Sequence, residues 1–419
     1  MVLERYIPTG NEMISLPDIR ERDGAIMGVT FLHMGYKGMI EIRGDSNPDG
    51  SDENPLLKPF MMMDGREEPI VQLTWERLNY WIPCFKAKCG NLEISGTILA
   101  PVGERGFIYS LKVINRDVAA QEFKLGLRGC WSRTIHEINE SKEINAAKYV
   151  YRSLWNDSLV FDLRDTVNIF SFAPIFEDQI ELTYHQTELS SKKVDFTLGK
   201  SMLLAPGEES IVNFYWGFGF EEVGSTTAAK EMLRKGYQYE LDATKNWLLK
   251  RLRLTGERDM DRILNTNLFF TFFFASGVTL DTEEFALVTS RSPRYYVSAA
   301  YWDRDSLLWS FPSILLVDSE YAKEMLSYAF SKQIKNAGVH SRYIDGTVLE
   351  PGFELDELCA PLLALYNYVK HTGDYEILSE ESIKKGIARI LTTLQSKKHP
   401  ETDLYETFLQ PTDDLNVYP

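Results

Sequence analysis

"SIVNFYWGFGFEEVGSTTAAKEMLRKGYQYELDATKNWLLKRLRL", residues 210–254, changes its period partway along. Its opening run, 210–220, is apolar, aromatic and β-branched, as a strand packed in a sheet requires. From Gly224 the apolar residues recur at helical spacing behind a Ser/Thr start suited to an N-cap. The switch divides the chain. Upstream the sequence reads as β-structure, and downstream it reads as helix.

On the β side, "GFIYSLKVINRD" (106–117) sets Phe107, Tyr109, Leu111 and Val113 on one strand face and Ser110 and Lys112 on the other. "SLVFDLRD" (158–165) and "VNIFSFAPI" (167–175) repeat the theme. Between such runs lie "NPDGSDENP" (47–55), "APVGERG" (100–106) and "APGEES" (205–210), which concentrate turn-forming residues. Many strands without helical interludes predict an antiparallel β-sandwich over 1–222. A linker helix is expected over 223–256. From 257 to 419 the spacing predicts helices near 258–277, 299–317, 320–336, 354–371 and 375–397, paired as hairpins that stack to bury their apolar faces. The chain is thus multidomain, β followed by α.

Composition narrows the function classes. The 419 residues carry a net charge of −16, which disfavours a nucleic-acid backbone or an anionic membrane as partner and suits a neutral substrate. The most hydrophobic run, "LFFTFFFASGV" (268–278), is too short to span a bilayer. The first residues lack a basic segment followed by an apolar one, so no secretory signal is expected. Four cysteines without CxxC spacing fit a reducing cytoplasm. The six histidines show no HExxH or i, i+4 pairing, so neither a metal nor another cofactor is expected, and GxGxxG, GxxxxGK[ST] and GxSxG do not occur.

Three clusters combine acids with aromatics at loop-to-helix junctions. In "YWDRDSLLWSF" (301–311), Asp303, Arg304 and Asp305 precede an apolar helix. In "EPGFELDELC" (350–359), Glu350, Glu354, Asp356 and Glu357 crowd the entry to another. In "ETDLYETFLQPTDD" (401–414), Glu406, Asp413 and Asp414 stand near Tyr405 and Phe408. Each has a bland reading: acids cap free backbone N–H groups and meet the positive end of a helix dipole, or sit solvated in a loop. The sharper reading is a sugar site. A guanidinium among carboxylates and aromatic rings suits the hydroxyls and apolar face of a hexose, and paired carboxylates are what glycoside hydrolysis needs.

"YWDRDSLLWSFPSILL" (301–316) resembles the Trp-x-Arg-Asp-Ser/Thr segment of glucoamylases, bacterial amylo-α-1,6-glucosidases and family 125 α-mannosidases, which share (α/α)6 barrels. "FELDELCAPLLALYNYVKHTGD" (353–374) is similar to the mannosidases' ELDxLxxPLxLxxxYxxxTGD stretch. "FLQPTDDLNVYP" (408–419) looks like their Phe-x-Pro-Ser-Asp-Asp segment, and "DLYE" (403–406) resembles the glucoamylase segment carrying the acid. The motifs fall in family order over about 295–419. A β-sandwich ahead of the barrel departs from the mannosidases and matches the layout of prokaryotic glucoamylases and inverting disaccharide phosphorylases.

The resemblance implies an exo-acting, inverting α-glycoside hydrolase that releases a terminal glucose or mannose from an oligosaccharide. An inverting disaccharide phosphorylase and a non-catalytic carbohydrate-binding protein are the alternatives. It implies further that Arg304 and Asp305 hold hydroxyls of the terminal sugar, with Trp302 as a wall and Asp356, Glu357 and Tyr405 near the same pocket. The general acid would be Asp414 or Asp413 on the mannosidase-like alignment, or Glu406 on the glucoamylase-like one. In these families the general base comes from a late barrel helix, to which no segment here corresponds. The barrel is therefore expected to be incomplete in this chain, its remainder supplied by further sequence, a second polypeptide or a homo-oligomer.

Overall fold

A computed structural model of the chain describes residues 4–45, 54–177, 180–186 and 193–407. The chain forms two compact units: Met1–Phe31 with Ile40–His136 and Ser141–Lys250, and Leu32–Met39 with Glu137–Glu140 and Arg251–Pro419.

The first unit is a sandwich of antiparallel sheets. An eight-stranded sheet runs in the order Ala147–Arg152, Leu159–Arg164, Asn168–Phe176, Glu209–Gly219, Gly106–Asn115, Leu92–Leu99, Ile82–Cys89, Val71–Leu78. A five-stranded sheet runs Glu181–His185, Val194–Leu204, Gln121–Trp131, Lys58–Met63, Arg66–Glu68. Aromatic rings close the space between them. Phe161 of the larger sheet lies 4.8 Å from Phe196 of the smaller, and Trp131 of the smaller lies 5.2 Å from Phe172 of the larger. Each such ring removes a large apolar area from water, so the cluster holds the two sheets together.

The strand Gly106–Asn115 departs from simple alternation. Phe107, Tyr109, Leu111 and Val113 are fully buried as expected, yet Ile108 and Ser110 on the other face are buried too. Helix packing explains this. A single linker helix was expected over 223–256, but the structure has two, α1 (Glu222–Lys235) and α2 (Tyr237–Leu249), broken at Gly236 with φ +85°. Glycine alone tolerates that angle cheaply. α1 lies on the sheet: Ser225 Oγ is 2.8 Å from Ser171 Oγ, and a Cβ built on Gly217 would stand 2.1 Å from the Ser225 carbonyl oxygen. α1 covers the strands Asn168–Phe176 and Glu209–Gly219, and Tyr237 of α2 hydrogen-bonds Ser110 on Gly106–Asn115, so no polar alternation survives under the two helices.

The second unit is helical. α3 (Arg258–Phe274), α4 (Phe311–Val317), α5 (Ser319–Tyr328), α6 (Leu355–Thr372) and α7 (Glu381–Ser396) fall in the five predicted segments. Two hairpins interrupt them, Ser276–Val278 with Phe285–Leu287 and Val339–Arg342 with Val348–Phe353. The segment expected to be helical from 299 becomes so only at Arg304, and its first turns, Arg304–Ser310, are π-helical. Pro312 accounts for the widening: it has no N–H to donate, and its ring would press on the carbonyl of Leu308 in a regular turn. Among the described residues no helix is long and apolar enough to cross a membrane.

Glu240, at the start of α2, titrates abnormally. Burial and then the charge of Glu104 raise its carboxyl to about 7, against a partial pull downward from Lys235. A carboxyl raised in the folded state favours folding below its unfolded pKa and loses that contribution as pH climbs through about 7. Glu240→Gln should therefore leave urea stability unchanged at acidic pH and raise it by about 1–3 kcal/mol at alkaline pH. Equal midpoints for wild type and variant under both conditions would contradict the assignment.

Candidate functional site

The site lies within the second unit, where the loop and π-turn 301–310, the hairpin 339–353 and the start of α6 meet. Tyr301 and Arg342 exchange backbone hydrogen bonds of 2.9 and 3.0 Å, which fixes the strand of the hairpin beside the π-turn. Arg342, fully buried, reaches Asp303 and lies 3.3 Å from Glu357 Oε2. Glu357, also fully buried, accepts from the backbone N–H of Asp303 at 2.6 Å and of Arg304 at 3.2 Å. Arg304 Nη1 donates to Glu354 Oε2 at 3.2 Å and to Asp356 Oδ2 at 3.1 Å. Glu354 Oε1 meets His340 Nδ1 at 2.7 Å.

These contacts show what the acids of the first two clusters bind: Glu357 takes free backbone N–H groups at the start of the π-turn, as a capping acid does, though from another helix. Neither Asp303 nor Glu354, the residues at the two N-cap positions, caps its own helix through its side chain. Asp318 at α5 does so conventionally, accepting from the Tyr321 N–H. Asp303, Glu354, Asp356 and Glu357 also pair with arginines, and Glu354 with the histidine. Two buried guanidiniums tie segments some fifty residues apart into one ion-paired base.

Electrostatics follow from this burial. Burial, and then Asp303, push the Glu357 carboxyl well above its usual value, while Arg342 and Arg304 pull it down. Burial also raises the Tyr301 phenol, with Asp303 adding to the effect, so Tyr301 stays a donor to Asp303. For Arg304 burial works against the charge, but Glu357, Asp356 and Glu354 outweigh it and raise its pKa.

Above this base opens a cavity of about 380 Å³ walled by Trp302, Arg304, Asp305, His340 and Glu350, with the aromatic rings of Tyr295, Tyr296 and Trp309 at its sides. That volume is in the range of small-ligand sites. Trp302 is 4% exposed and meets the His340 ring edge-on at 5.5 Å, while Trp309 and Tyr296 stand 61% and 70% exposed. The arginine face, carboxylates and rings supply hydrogen bonds and stacking area together, which is chemistry suited to a polyhydroxylated ring. Among the described residues no group of three or more His, Cys, Asp and Glu side chains is placed to hold a metal ion.

Of the residues singled out in the sequence, Trp302, Arg304 and Asp305 line the cavity. Asp356 holds Arg304 from the side, and Glu357 lies beneath as part of the base. Tyr405 and Glu406 are exposed and are not among the lining residues; the Glu406 N–H donates to the Lys397 carbonyl at 2.9 Å. Asp413 and Asp414 lie outside the described residues. Sequence reasoning missed His340 and Arg342, whose "HSR" triplet sits in a short hairpin between helices, and gave no role to Tyr295, Tyr296 and Trp309.

No protein-family model matches the chain, and no curated protein matches it. Solved structures do. A bacterial glucoamylase complexed with acarbose matches with a TM-score of 0.57 at 13% identity, covering 92% of this chain and 58% of the glucoamylase. A candidate kojibiose phosphorylase from the human microbiome matches with a TM-score of 0.61 at 10% identity, covering 94% of this chain and 57% of that one. The chain therefore spans less than two thirds of the length of either. At such identities the likeness is one of fold, that of a β-sandwich unit, expected from the strand spacing of 1–222, and a helical unit, expected from the spacing of 257–419.

Removing the cation at the centre of the base tests its structural role. Arg342→Met leaves Asp303 and Glu357 buried without their partner and should cost about 3–5 kcal/mol in urea unfolding of the second unit. A loss below about 1 kcal/mol, the range of an exposed pair, would show that the network is incidental.

Proposed function

We propose that the chain acts on α-glycosides and that the cavity of the second unit takes a terminal hexose, with Arg304 and Asp305 hydrogen-bonding its hydroxyls and Trp302 as a wall. The observation that carries this reading is the division of labour among the acids. Asp303, Glu354, Asp356 and Glu357 are engaged by arginines or backbone beneath the cavity, while Asp305, 3.9 Å from Arg304 Nε, lines it. A site that only stabilised helices would have no use for a carboxylate and aromatic rings turned to a cavity.

The reaction best suited to this arrangement is exo-acting, inverting hydrolysis that releases glucose or mannose. It needs one carboxyl to protonate the leaving oxygen and a second carboxylate to activate water across the sugar ring. We assign the acid to Asp414 or Asp413, with Glu406 as the alternative. The second unit then contributes the first half of an (α/α)6 barrel, completed by further chain, a second polypeptide or another copy. Phosphorolysis, in which phosphate replaces water, is the second reading, favoured by the fold likeness to the candidate kojibiose phosphorylase.

Both readings are separated by one assay. Aryl α-glucosides, α-mannosides and short α-linked oligosaccharides are incubated with the full chain, with and without phosphate, and the products followed by NMR. Hydrolysis with inversion releases the β-hexose without phosphate; phosphorolysis releases a sugar 1-phosphate only when phosphate is present. Asp305→Ala, checked by circular dichroism for folding, should lower turnover or sugar affinity about 10- to 100-fold, the effect of losing a hydrogen bond to a charged group. Release of the α-hexose would overturn inversion, and an unchanged Asp305→Ala would remove the residue from the site.

A further inference from the structure

A second cavity, of about 390 Å³, opens beside the first within the second unit. The two share Tyr295, Asp305 and Trp309. Asp305 and Trp309 stand about one turn apart on the π-turn, so together they make a wall with a cavity on either side. Each volume is in the range of small-ligand sites.

The shared wall is held in place from below. Arg304, clamped by Glu354 and Asp356, sets its guanidinium carbon 5.7 Å from the centre of the Trp309 ring, while Trp309 stays mostly exposed. A ring fixed by a buried cation and still open to water is a preformed stacking surface. Beyond the wall, the second cavity adds the ring of Phe270, which stacks on Phe274 of the same helix at 4.4 Å. It also adds the hydroxyls of Ser290 and Ser292, both buried residues. Backbone N–H groups orient them: that of Ser292 donates to Ser290 Oγ at 3.1 Å, and that of Arg294 to Ser292 Oγ at 3.3 Å. A hydroxyl that accepts in this way still carries a proton to donate. Rings beside oriented hydroxyls match the apolar face and hydroxyl rim of a pyranose.

We propose that the second cavity is a second saccharide subsite, which takes the sugar unit linked to the terminal hexose. The ligand is then an α-linked chain of at least two units, lying across Trp309 and Tyr295, with its second unit against Phe270 and the two serines. Continuity carries the argument. A hexose in the first cavity already meets the wall that the second cavity shares, so the next unit reaches Phe270 by crossing Trp309. Both units are bound for a single loss of translational and rotational freedom, so the second adds to affinity at little further cost. This inference rests on the first cavity being the sugar site proposed above.

Calorimetric titration of the full chain tests it with methyl α-glucoside and methyl α-mannoside against thio-linked α-disaccharides of glucose and of mannose, which resist hydrolysis, in every linkage position. Wild type should bind at least one disaccharide about 10-fold more tightly than the methyl glycoside of the same sugar, the effect of one aromatic stacking contact. Phe270→Ala removes a ring that lines the second cavity and not the first. It should abolish the preference for the disaccharide and leave the methyl glycoside bound as in wild type. Equal affinity of wild type for the methyl glycosides and every disaccharide overturns the second subsite and leaves the sugar site standing. So does a preference that survives in Phe270→Ala. If wild type binds no ligand of either kind, both readings fall. Should Phe270→Ala fail to fold by circular dichroism, Ser310→Leu, which crowds the second cavity alone, takes its place with the same outcomes.

Discussion

The second unit is organised around two buried guanidiniums. Arg342 and Arg304 gather Asp303, Glu354, Asp356 and Glu357 from two stretches of chain and fix the π-turn against the start of α6. Such a cluster adds little net stability compared with an apolar core of equal volume, because each charge gives up its water. Its effect is on geometry. An arginine facing two carboxylates accepts only a narrow set of arrangements, so a small error in the position of α6 would leave a buried charge unmatched. The cavity wall above inherits that precision, since Asp305 and Trp302 neighbour the residues that the network clamps.

The π-turn is part of the same constraint. A regular helix beginning at Asp303 would use its first N–H groups for a side-chain cap or for water. Here those of Asp303 and Arg304 are taken by Glu357, while Pro312 keeps the following turns wide. Strained or irregular turns of this kind are frequent at functional sites, where side chains must be aimed rather than merely packed.

Much of this was legible in the sequence, and the parts that were not have physical causes. The change of period after residue 220 separates sheet from helix because each element buries its apolar residues at its own repeat. The clusters at 303–305 and 354–357 stand out because acids and arginine have no place in an apolar core. Adjacent residues on a helix point about 100° apart, however, so Asp356 and Glu357 serve different partners, one at the flank of Arg304 and one buried beneath it, and spacing alone cannot assign them. Arg342 and His340 escaped notice for another reason. Their hairpin is too short to show periodicity, and their roles exist only once it folds back against Tyr301 and Glu354. The strand at 106–115 hid its second buried face because helices pack on that side of the sheet, Tyr237 of α2 meeting Ser110, a tertiary event that local alternation does not record.

The most direct test is a crystal structure of the full chain soaked with a neutral α-glycoside. The account predicts a hexose in the cavity of the second unit, with hydroxyls within hydrogen-bond distance of Arg304 and Asp305 and its ring against Trp302. Sugar density at another place, or an empty cavity at a glycoside concentration that saturates binding in solution, would contradict it.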